Sequence, residues 1–98
     1  MSVLKIAVHP GRILREEFME PFGLSPIALA RHIDVPRTRI ERLAREETAI
    51  TVDTATRLAA AFKTSAAFWM NLQTAYDLLT APTVKGVKPI PAIAGQGA

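Results

Sequence analysis

Two helix-start signals spaced ten residues apart, Ser25-Pro26 and Val35-Pro36, constrain this chain more than any other feature. A serine hydroxyl can accept one of the orphan N–H groups of a first helical turn. A proline at the next position loses nothing, because its missing N–H would have no partner there. After the first signal, Leu29, Ala30 and Ile33 fall on one face at helical spacing, which predicts a helix over Ser25–Ile33. Asp34 and Val35 are left for the connection, and an aspartate tolerates the left-handed backbone of a tight turn. The next helix is predicted from Pro36 to about Arg45, with Ile40, Leu43 and Ala44 as its buried stripe. Two short helices joined by a tight turn make a helix-turn-helix. Ala30 is small where the second helix crosses, and Val35, Ile40 and Leu43 anchor that helix to the core.

The flanking segments are helical too. Pro10 suits a first helical position, so a helix is predicted from about Pro10 to Glu20 with Ile13, Leu14 and Phe18 inward, stopped by Pro21 and Gly23. Thr51 caps a fourth helix, with Asp53 in its first turn and Ala55, Leu58, Ala59 and Phe62 as its core face. Ser65 caps a fifth, running to about Leu79, with Phe68, Trp69, Leu72, Tyr76 and Leu79 on one side. From Thr80 the character changes: Pro82, Pro89, Pro91, Gly86, Gly95 and Gly97 break any helical period. The expected fold is all-α: five helices and a flexible C-terminal tail. The expected organisation is an N-terminal arm over 1–8, a helix-turn-helix domain over 9–79 and a Pro/Gly-rich tail over 80–98. Val87 to Ile93 is the candidate partner-docking segment of that tail.

Charge placement suggests what the domain touches. The net charge is only +3, but Arg37, Arg39, Arg42 and Arg45 crowd one helix against a single acid, Glu41. A concentrated basic stretch is what a phosphate backbone rewards. With the apolar stripe turned inward, the outer face is free for a DNA major groove. Arg37 and Thr38, near the helix start, are the candidates for base edges, and Arg42 shares their face one turn on. Arg39 and Arg45 suit phosphates. The Ser25 hydroxyl and adjacent backbone N–H groups offer another phosphate contact.

Other chemistries find no support. The chain has no cysteine, which rules out disulfides and thiolate metal sites and fits a cytoplasmic protein. His9 and His32 stand alone; His9 is expected to start the first helix and His32 to be exposed, so no metal or other cofactor is expected. Glu16 and Glu17 diverge on a helix and read as solvated. No nucleophile, base and orienting group come together, so the chain is not expected to be an enzyme. No apolar run is long enough to span a membrane, and the N-terminal apolar stretch is too short for an export signal.

From His9 to Leu79 the chain resembles the HigA family of antitoxins, within the lambda-repressor-like (XRE, Cro/C1-type) helix-turn-helix group. The matching stretches are HPGRILREEFMEPFGLS, LARHIDVPRTRIERL, ITVDTATRLAAAF and TSAAFWMNLQTAYDL. The first and last are specific to that family; the middle says only helix-turn-helix. The resemblance implies a five-helix repressor-like domain that forms a homodimer. It also implies a type II antitoxin that binds a HigB toxin of the RelE-like mRNA-cleaving class. Autoregulation on a palindromic operator of its own operon is implied as well. Carried over, the DNA-contacting positions are Arg37, Thr38, Arg39 and Arg42. The family often has glutamine after the serine cap, where this chain has Pro26. It often has glycine and a basic residue after the recognition helix, where this chain has Arg45-Glu46-Glu47-Thr48; the two acids are expected to repel phosphate. Tyr76 and Leu79 are the expected dimer contacts, on the second side of an end helix. The alternatives are a stand-alone XRE-type regulator without a toxin and, from another class, a small ribonuclease toxin. The second would need a catalytic set on a sheet, which this chain does not offer.

Overall fold

Local capping chemistry sets most of the architecture. The computed structural model describes residues 6–94, which contain helices and no strand. Residues 1–5 of the arm and 95–98 of the tail, including Gly95 and Gly97, lie outside the described residues. The first helix, α1 (Pro10–Ile13), is capped by His9, whose Nδ1 accepts the Gly11 N–H at 2.9 Å. It runs on as a π-helical stretch, Leu14–Met19, and a 3-10 turn, Glu20–Phe22, and stops at Gly23 with φ +63°. The single regular helix predicted from Pro10 to Glu20 is therefore corrected. The wider π turn brings residues five apart onto one face, and so both Leu14 and Met19 enter the core.

Helix α2 (Pro26–Ile33) is capped by Ser25, whose Oγ accepts the Ala28 N–H at 3.1 Å, and it ends at Asp34 with φ +60°. The Val35 N–H then donates to the Ala30 carbonyl at 3.0 Å and closes the tight turn. Helix α3 (Arg37–Ala44) starts one residue later than predicted, because Pro36 has extended backbone and serves as the N-cap. Helix α4 (Val52–Phe62) is capped by Thr51, and α5 (Ala66–Thr80) by Ser65. The tail holds one more turn, α6 (Pro91–Ala94), where the sequence predicted none. Proline at a first helical position accounts for it. Every residue from 81 to 93 is exposed, and the tail makes the molecule long, 55 Å by 28 Å by 23 Å.

The core gathers Leu14, Leu29, Ile40, Leu43, Leu58 and Trp69, all fully buried. Helix α3 packs on α1 and α2, α2 on α4, and α4 on α5. At the α1–α3 crossing a Cβ on Gly11 would sit 1.7 Å from the Leu43 carbonyl oxygen, so only glycine fits. Arg15 reaches from the π segment to donate to the Ala44 carbonyl and to Glu46, the latter at 3.2 Å. The predicted face of α5 also shifts. Trp69 is buried as expected, Leu72 and Tyr76 are half-buried, and Phe68 and Leu79 are 38% and 47% exposed. Gln73 lies inside instead, because its Oε1 accepts the buried Ile50 N–H at 2.7 Å. A buried amide N–H requires such a partner.

Candidate nucleic-acid interface

With α3 seated on Ile40, Leu43 and Ala44, its remaining side chains must face outward. Arg37, Thr38, Arg39, Arg42 and Arg45 are all exposed, as is Ser25 at the start of α2. Thr38, Arg39 and Arg42 line one wall of an open depression. The opposite wall is the loop and first turn of α4, with Thr48, Thr51 and Thr54. Sequence reasoning used Thr51 only as a cap and missed Thr48. The signal available was a short polar loop held between two capped helices.

The cations on this face are not alike. Among the described residues Arg37, Arg42 and Arg45 have no ion pair, so their charge is uncompensated. Arg39 is different: its Nη1 lies 2.5 Å from Asp53 Oδ2. Arg57 Nε also donates to both Asp53 oxygens, at 3.2 and 3.1 Å. Arg57 Nη1 continues to the Ile33 carbonyl at 2.8 Å, at the end of α2. The hydrogen bond from Arg39, then that from Arg57, holds the Asp53 carboxyl below its usual range. The network ties α2, α3 and α4 together.

The two acids after α3 also differ from expectation. Glu46 takes left-handed backbone, φ +66°, and its carboxylate is matched by Arg15. Its charge therefore opposes phosphate less than the sequence implied. Glu16, predicted to be solvated, is half-buried and pairs with Arg12 and Arg15. The Ser25 hydroxyl accepts one backbone N–H and keeps its proton for donation.

Behind the groove, His9 is buried. Burial pushes its imidazole below the ordinary value, against the pull of Glu46, the Thr48 backbone and Asp77. Tyr76 packs edge-on against His9, ring centres 4.8 Å apart, and is half-buried within its own chain. Leu79, with Leu78, stays exposed at the end of α5. His32 is exposed, and no group of acidic or histidine side chains among the described residues is arranged to hold a metal. No helix among them is long and apolar enough to cross a membrane.

A helix-turn-helix family model (HTH_3) matches residues 16–69, more than half the chain. The solved structure of the Pseudomonas aeruginosa antitoxin HigA with the higBA promoter superposes with a TM-score of 0.77 at 49% identity, covering 78% of this chain and 83% of that one. The chain belongs to the helix-turn-helix family, among its HigA-type antitoxins. This family is one of DNA-binding regulators and not of enzymes. A second solved structure, a Pseudomonas aeruginosa protein in complex with its 18-bp operator DNA, gives a TM-score of 0.79 at 43% identity, over 87% of this chain and 98% of that one. Among curated relatives, virulence-associated protein I of Dichelobacter nodosus is 53% identical over 72 residues, 74% of this chain and 67% of the relative. The helix-turn-helix match takes in α2, α3 and α4 whole and reaches Trp69 in α5; His9 and Tyr76 lie outside it.

Proposed function

We propose that this protein is a sequence-specific DNA-binding antitoxin that represses its own operon and neutralises a HigB/RelE-like mRNA-cleaving toxin in the cytoplasm. One observation carries the DNA reading: Arg37, Arg42 and Arg45 stand uncompensated on the outer face of a helix whose inner face is locked in the core. Arg37, Thr38 and Arg42 read base edges, since arginine pairs bidentately with guanine O6 and N7. Arg39, Arg45 and Ser25 face phosphates. The related structures solved with a promoter and an operator support DNA binding by this fold. A homodimer joined near Tyr76 and Leu79 sets two α3 helices about 34 Å apart, one turn of a palindromic site.

Operator titrations at several salt concentrations test the DNA reading. Arg37→Ala and Arg42→Ala are each expected to lose about 1–3 kcal/mol and to relax base preference. Affinity unchanged in both would remove α3 as the reading head. The toxin reading is tested separately, by co-expressing this chain with any small basic reading frame encoded beside its gene. Growth rescued by this chain and a co-purifying complex support an antitoxin. Operator binding with no such partner leaves a stand-alone regulator.

A further inference from the structure

Asp53 pairs with Arg39, one of the cations assigned above to phosphates. It sits in the first turn of α4, across from the recognition helix. Its carboxylate is shared by Arg39 and Arg57, so the three groups together carry one positive charge instead of two. Arg57 cannot leave easily, because it also holds the Ile33 carbonyl. Arg39 can, since both it and Asp53 remain partly exposed, at 40% and 55% of their side chains. A carboxylate and a phosphate compete for the same guanidinium edge with similar geometry.

We propose that Asp53 is a positioning residue that withholds Arg39 from non-specific phosphate contact and so raises discrimination between operator and other DNA. The inference rests on the DNA-binding reading. Random DNA binds almost wholly through mobile cations and counterion release, and a cation already paired within the protein contributes little to that. An operator complex gains from base contacts by Arg37, Thr38 and Arg42, which Asp53 does not touch. The pair therefore weakens random binding more than operator binding. It also ties α3 to α4 through Arg39.

The test is a salt titration of full-length protein on operator and random-sequence duplexes, with Asp53→Asn, Arg39→Ala and the double variant. Each released phosphate contact contributes a slope of about 0.9 in log K against log salt. Asp53→Asn is expected to steepen the random-DNA slope by about 0.9 and to tighten that binding about eightfold at 0.1 M salt. The operator-to-random ratio should fall, and Asp53→Glu should stay near wild type. Adding Arg39→Ala should cancel the gain. An unchanged slope in Asp53→Asn, or a gain that persists without Arg39, overturns the inference. If Asp53→Asn does not fold, Arg39→Ala alone decides: it should flatten the slope much less than Arg45→Ala, and equal flattening overturns the proposal. Wild type that binds neither duplex overturns the DNA-binding reading and this inference with it.

Discussion

His9 joins three parts of the molecule through one imidazole. Its Nδ1 caps α1, the Thr48 backbone pulls on its pKa, and its ring meets Tyr76. Protonation would place an N–H against the Gly11 N–H and lose the cap. Burial lowers the folded-state pKa, so between that value and the ordinary 6.5 the unfolded chain binds more protons. Stability is therefore complete above pH 6.5 and falls as pH drops through that window, with no further loss below the folded value. Urea midpoints at pH 7.5 and pH 5 should show the fall, and His9→Asn, which can still cap, should lessen it. An equal fall in that variant would assign the effect elsewhere. On the outer face, Arg45→Ala is expected to weaken all DNA sequences alike and flatten the salt slope by about one unit. A loss confined to the operator would make Arg45 a base reader.

At the scale of elements, the close approach of α1 and α3 decides whether the recognition helix is held. Gly11→Ala would drive a methyl carbon into the Leu43 carbonyl. We expect about 3 kcal/mol of lost stability, at the upper end of overpacking costs, read as a lower urea midpoint. A change under about 0.5 kcal/mol would mean the helices separate freely. The starts of α2, α4 and α5 were legible because Ser25, Thr51 and Ser65 act within their own first turns. Asp34 was legible for the same reason. The π stretch was not, since its cause is the joint burial of Leu14 and Met19 against distant residues. In the site, the exposed arginines of α3 could be read from periodicity. Their inequality could not: Arg39 meets an acid 14 residues away, and Glu46 is matched by Arg15, 31 residues back. Gln73 was missed because a polar residue is read as outward until its buried partner is known.

Over the whole molecule, the body and the tail contribute differently. The radius of gyration, 17.5 Å, exceeds the roughly 13 Å of a compact chain of about a hundred residues. Since residues 81–93 are exposed, ending the chain at Thr80 should shift stability by no more than about 0.5 kcal/mol. A larger loss would show that the tail packs on the body in solution. Dimerisation is tested at the exposed apolar end of α5: Leu79→Glu should yield monomers in sedimentation and weaken operator binding while keeping the helical circular dichroism. Dimers that persist would place the interface away from Leu79. The single tryptophan has a use of its own. Trp69 is wholly enclosed by Phe18, Phe62 and Phe68, and its Nε1–H donates to Thr64 Oγ1 at 2.8 Å. Of these, Phe62 and Thr64 lie at the end of α4 remote from Thr51, and an eleven-residue helix spans about 16 Å. Its fluorescence should therefore be silent to operator occupancy and sensitive to unfolding, so a melt followed at this indole measures how far bound DNA protects the fold.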